Sequence, residues 1–288
     1  MSDERASLPI AVFDSGIGGL TVLHELLVSL PEEDYAYLGD TAGFPYGTKS
    51  PEWLRPRIEE LVRCLLDRGT KLVVVACNSA TSAAADLVRG IAGERGVAVL
   101  TVVDPEAEIA AAISDSGRVG VLATPTTVAS GAYRRALEAH AGRRELDVTE
   151  VAAHDLAPII QNGFPFDERV MRTVRSYCDR LRAADVDTLI LGCTHYPLVA
   201  PMLQRMLGRD VRLVTAGHAL AAAAQRFLEA EGLESTRGTE GEYRFLCTGD
   251  IESFRELGTR FLQMPLGEIE HVELAQPDSG GDGGRGYP

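Results

Sequence analysis

The stretch TLILGCTHYPLVAPM (188–202) decides the fold. A short, continuous, apolar run ends at a glycine, and a thiol, a hydroxyl and an imidazole follow side by side at Cys193, Thr194 and His195. An uninterrupted run of this kind reads as a strand buried on both faces, which is the signature of a parallel sheet. Comparable runs are PIAVF (9–13), YAYLG (35–39), KLVVVA (71–76), VAVLTV (97–102), RVGVLA (118–123), ELDVTEV (145–151) and VRLV (211–214). Helical patterns lie between most of them, among them LTVLHELLVSL (20–30), PEWLRPRIEELVRCLLDRG (51–69) and DERVMRTVRSYCDRLRAA (167–184). The alternation predicts an α/β fold with parallel sheets covered on both faces, and nothing in the central 200 residues suggests a hairpin.

A repeat emerges from the loops that follow these strands. DSGIGGL (14–20) is followed by ACNSAT (76–81), and TPTTVASGAY (124–133) by GCTHYPL (192–198). Cys77 follows Asp14 by 63 positions and Cys193 follows Thr124 by 69. Each half thus carries a small-residue loop after one strand and a Cys-polar-polar loop after another. Two such units facing each other across a cleft would hold a ligand at the carboxyl ends of their strands.

The totals narrow the function. The 288 residues, 45% hydrophobic, suffice for one large domain or two smaller ones. Mean hydropathy is −0.01, and no apolar run approaches the roughly 18 residues of a membrane span. The polar start, MSDERASLP, is not a signal peptide, so a cytoplasmic location is expected. A net charge of −14 argues against nucleic acid or an anionic membrane as the partner, and an anionic substrate must be held by local donors. The five cysteines read as free thiols. Lys49 and Lys71 are the only lysines, and neither sits by a phosphate cradle, so pyridoxal phosphate is not expected. After Glu273 the chain turns polar and glycine-rich, and the tail 274–288 is expected to be disordered.

Cys77 and Cys193 each sit where a strand gives way to a helix, where unpaired N–H groups lower a thiol pKa. Their matched positions favour a functional pair over two core residues. Cys64 and Cys178 lie inside helical patterns and read as packing residues; Cys247 reads as a strand residue. His195, two residues from Cys193, can relay a proton or stabilise a thiolate. Metal is a poor alternative, because no short local ligand spacing is present. DSGIGGLT (14–21) is either a ligand-approach loop or a tight turn, and Asp14 either orients a polar group or caps the helix. GDTAGFPYGTKS (39–50) is either a pocket wall or a turn.

Taken in order, DSGIGG, GDT…PYGTKS, ACNSAT, TPTTVASGAY and LGCTHYPL resemble the glutamate racemases, over about residues 9–273. The resemblance implies two pseudosymmetric α/β domains, about 1–102 plus 213–273 and 103–212, with the active site between them. It implies cofactor-independent racemisation of glutamate by two thiols on opposite faces of the α-carbon, supplying D-glutamate for peptidoglycan. By that pattern Cys77 serves the D-enantiomer and Cys193 the L-enantiomer, with Asp14 and His195 assisting. Ser15, Pro45, Tyr46, Gly47, Asn78, Ser79, Thr124, Thr127 and Thr194 fall at substrate-contacting positions, together with Asp14 and His195. A homodimer is compatible with it.

Three departures stand out. Ser79 replaces the usual Thr, and Ala123 and Thr126 stand where glycines are usual. AAHDLAPIIQNG (152–163) replaces a segment that usually carries Cys-Pro and an acidic pair, with His154-Asp155 and Gln161-Asn162 at those places. These changes leave open a racemase of the same superfamily acting on aspartate or another small acid, or a low-activity binding or regulatory relative.

Overall fold

The computed structural model describes residues 2–163 and 167–274. Apart from Leu274, the expected disordered tail lies outside them. Among the described residues, ten strands form two sheets. The first holds β1 (Ile10–Asp14), β2 (Tyr35–Gly39), β3 (Leu72–Val75), β4 (Ala98–Thr101), β9 (Tyr243–Cys247) and β10 (Ile269–His271). The second holds β5 (Arg118–Ala123), β6 (Asp147–Ala152), β7 (Thr188–Gly192) and β8 (Arg212–Val214). All pairings are parallel.

The strand orders are β10-β9-β2-β1-β3-β4 and β6-β5-β7-β8. Without the two strands added at its edge, the first sheet reads β2-β1-β3-β4, which is the order of the second. The repeat in the loops is therefore a repeat of topology. In both sheets the order reverses beside the first strand of the unit, which opens a crevice at the carboxyl ends.

Branched residues make these strands because both faces are packed. Ile10 and Val12 of β1 enter one buried cluster, whereas Ala11 and Phe13 enter another on the opposite face. The first cluster runs on through Val119, Val121, Leu189 and Leu191, so one apolar core joins the two sheets. Helix Pro51–Asp67 shows how local signals place a wall: the Ser50 side chain caps Trp53 N–H, and Leu54, Ile58, Leu61 and Leu65 recur at helical spacing into the core. Lys71, in contrast, is a buried strut. Its Nζ donates to the carbonyls of Ala6 and Leu233 and pairs with Glu33 at 2.5 Å.

Strand β10 was not expected from the sequence; three residues, IEH, carry too little pattern to stand out from a loop. No helix among the described residues is long and apolar enough to cross a membrane.

Candidate active site

Both repeated Cys loops open onto one cavity. Cys77 directly follows the strand β3–Ala76 run and caps helix Asn78–Gly93, its Sγ accepting from Ala80 N–H at 3.4 Å. Cys193 directly follows β7. Ser15, Pro45, Tyr46 and Gly47 line the cavity with them, as do Asn78, Ser79, Thr124, Thr194 and His195. Two expected residues stand behind the wall and bond to it. Asp14 Oδ2 accepts from Thr194 Oγ1 at 3.1 Å, and the Thr127 hydroxyl meets that of Thr124 at 3.0 Å.

The halves meet here through side chains. The Asp14–Thr194 bond joins the end of β1 to the loop after β7. Ser79 and Thr124 share a 2.9 Å hydroxyl contact. Thr126, one of the unusual residues, places Oγ1 2.9 Å from the carbonyls of Gly47 and Lys49. The loop carrying Pro45–Gly47 is anchored from below by Asp40, fully buried, which accepts from Tyr46 Oη, the Arg57 guanidinium and Thr248 Oγ1.

The glycines of DSGIGG serve the protein itself. Gly16 N–H donates to Asp14 Oδ1 at 2.9 Å, so this amide holds a side chain. A Cβ at Gly18 would overlap Nδ1 of His195 and Oγ1 of Thr194. The loop is a close-packing device against the second Cys loop.

The electrostatics differ from the sequence expectation. The helix cap at Cys77 does favour the thiolate, but burial outweighs it and pushes the thiol up to about 12. Burial drives Cys193 further up. His195, 1% exposed, is pushed down to about 3 by burial and is neutral. Its Nε2 lies 3.0 Å from Gln161 Oε1. A carboxamide oxygen only accepts, so Nε2 carries the hydrogen and Nδ1 is left as an acceptor, 3.9 Å from Cys193 Sγ. Burial also lifts Asp14 to about 6, against hydrogen bonds that lower it.

Sequence reading missed several wall residues. Phe44 packs on the His195 ring at 5.3 Å between centroids, and Ala153, His154, Ala157 and Pro158 complete one side. Ala153, His154, Ala157, Pro158 and Gln161 all lie in the segment 152–163, where of these only His154 and Gln161 stand out as departures, and Phe44 lies in the stretch 39–50 read as a pocket wall or a turn. The cavity is narrow, with a free volume of about 20 Å³, room for about one water.

Residues 23–224 match the family described as Asp/Glu/Hydantoin racemase. A glutamate racemase of Geobacter metallireducens is 38% identical over 265 residues, 92% of this chain and 96% of that one. Two solved glutamate racemases are similar in structure. That from Bacillus anthracis has a TM-score of 0.87 at 32% identity, covering 93% of this chain and 98% of its own. That from Francisella tularensis, in complex with D-glutamate, has a TM-score of 0.86 at 32% identity, covering 94% and 100%. With two same-order sheets, a thiol at the equivalent place in each and likeness along nearly the whole chain, this protein belongs to the Asp/Glu/hydantoin racemase family, among its glutamate racemases.

Proposed function

We propose that the protein interconverts L- and D-glutamate with two cysteine bases and no cofactor. One observation carries the reading: thiols from equivalent positions of two same-order sheets line a single cavity. Racemisation through a planar carbanion needs an acid/base group on each face, and duplicated half-sites supply one apiece. Cys193 takes the α-proton of L-glutamate while Cys77 delivers one to the opposite face; the D-enantiomer reverses the roles.

Both thiols rest protonated, since burial raises them. Activation therefore depends on the substrate. An α-ammonium between the thiols favours the thiolate, as any nearby opposite charge does. Cys193 then passes its proton to Nδ1 of His195, and Asp14 assists on the Cys77 side. Backbone amides and the hydroxyls of Ser15, Ser79 and Thr124 hold the carboxylates in a dry site, where such donors count most, while Thr194 lines the site with its hydroxyl given to Asp14. Thr127 supports Thr124. Substrate entry requires the walls to part, because the cavity admits about one water as it stands.

We read the two sheets as the cores of two domains, 1–102 plus 215–273 and 103–214. The return point moves two residues from the sequence expectation because Leu213 and Val214 pair with β7. The same reading makes the chain a cytoplasmic supplier of D-glutamate for peptidoglycan, with a homodimer as its assembly, which sedimentation would test. The narrow cavity, and His154 in its wall, motivate a second reading in which aspartate is the substrate.

Exchange of the α-hydrogen in deuterated water, without added cofactor, decides between them. Exchange of both glutamate enantiomers at a higher kcat/KM than aspartate supports the proposal. A preference for aspartate supports the second reading, and no exchange of any of them ends both.

A further inference from the structure

Behind the Cys77 loop lies a buried carboxyl that the mechanism above does not use. Glu106 sits in the first turn of helix Val103–Ile113 and is fully buried. Among the described residues, no lysine or arginine acts on its carboxyl, and its hydrogen-bond partners are Tyr133 and Asn78. Glu106 Oε2 accepts from Tyr133 Oη and from Asn78 Nδ2 at 3.3 Å. Asn78 Nδ2 also donates to Tyr133 Oη at 2.6 Å. Asn78 belongs to one half of the molecule, whereas Tyr133 and Glu106 pack with the other.

The hydrogen-bond inventory makes this trio directional. A carboxamide has two N–H donors and one acceptor oxygen. Both Asn78 donors point away from the cavity, to Tyr133 and Glu106. Asn78 Oδ1 is buried with no partner among the described residues, and Asn78 lines the cavity. A buried acceptor left open in a ligand-facing wall is an unmet bond that a bound N–H group would satisfy. In an α-amino acid that group is the ammonium.

We infer that Glu106 is a positioning residue for the racemisation: together with Tyr133 it locks the Asn78 carboxamide so that its oxygen, and not its NH2 group, meets the α-ammonium of the bound amino acid. This rests on the racemase reading above. A flipped carboxamide would aim its NH2 group at a cation and lose both buried acceptors. Burial without a counter-cation pushes Glu106 well above the usual carboxylate range, so the group is held neutral. The neutral form also spares Cys193, on which a charge at Glu106 acts to raise the thiol further.

The test compares Glu106→Ala and Glu106→Gln with the parent protein in steady-state racemisation of glutamate, with far-UV circular dichroism and Tm for each. Glu106→Ala is expected to raise KM about tenfold or more, while kcat changes less than about threefold, because a bond to a charged group is lost. Glu106→Gln, whose carboxamide oxygen still accepts, is expected to restore KM to within about threefold of the parent. KM of a folded Glu106→Ala within about twofold of the parent, or a glutamine variant no better than alanine, overturns the inference. Should Glu106→Ala not fold, Tyr133→Phe removes the other acceptor; a raised KM supports the lock and an unchanged one overturns it. A parent protein inert toward glutamate removes the racemase reading and this inference with it. An active parent with indistinguishable variants overturns the inference alone.

Discussion

Gln161 Oε1 and His195 Nε2 lie 3.0 Å apart, and this bond turns the other ring nitrogen toward Cys193. The neutral partner fixes the tautomer without favouring the imidazolium. Gln161→Glu would favour it, since a carboxylate beside a histidine raises its pKa. Below that raised value His195 can no longer accept the Cys193 proton. The acid limb of kcat/KM for L-glutamate is therefore expected to move to higher pH, with activity at pH 6 falling relative to pH 8. The pH–rate profile and the His195 Cε1–H chemical shift check this; if neither moves, the assigned relay is wrong.

Asp14 links activity to stability. Its folded value of about 6 lies above its ordinary 3.8, so its favourable contribution is fully present below pH 3.8 and is lost as pH rises through 6. Above that, the buried charge costs roughly 2–3 kcal/mol at 1.36 kcal/mol per unit. Asp14→Asn is thus expected to stabilise the fold by about that amount at pH 8, to give no such gain near pH 4, and to lose racemisation. Urea unfolding at the two pH values reads it, and equal effects at both would refute the assignment.

Replacing either thiol should stop the reaction in both directions, because in the proposed mechanism each turnover uses one as base and the other as acid. Cys77→Ser and Cys193→Ser are each expected to lower kcat by about 10³-fold or more, the scale of a lost acid/base group. Polarimetry from each enantiomer measures it. A variant that keeps more than about a tenth of the parent rate would exclude its cysteine from the proton path.

Thr126 ties the Gly47–Lys49 backbone to the second half. Thr126→Val keeps the shape and removes the hydroxyl. KM is expected to rise about two- to tenfold, the worth of one hydrogen bond, with Tm little changed. An unaltered KM would mean that the contact does not help to close the cavity.

Gly18 has no room for a side chain. Gly18→Ala would push a methyl group into His195 Nδ1 and Thr194 Oγ1, displacing both. A shift of about 1 Å at such a site costs on the order of 10²-fold in rate. Loss of kcat in a variant that remains folded supports this; full activity would show that the loop yields freely.

Most strands and their parallel arrangement were legible because a parallel sheet buried on both faces demands continuous branched runs, as in LVVV and TLILG, whereas the strand order and the short β10 were not. The matching Cys loops were legible because strand ends are where side chains of the two units meet. The stretches 39–50 and 152–163 were marked, but not that Phe44, Ala153 and Pro158 are the side chains that reach the cavity, since that comes from how the two halves dock. Thiol ionisation was misjudged for a related reason: the cap is written in the sequence, while the burial that outweighs it is a property of the assembled cleft. Glu106 reads as an ordinary first-turn acidic residue until Tyr133 and Asn78 arrive beside it.

The chain crosses between the two sheets twice, after β4 at Val102 and after β8 at Thr215. Two crossings define a hinge line, as two pins hold a door. On the proposed two-domain reading, the halves swing about that line to let a substrate in and resist twisting or sliding past one another. On that same reading, each closure returns the same pair of sulfur atoms to the same opposing jambs.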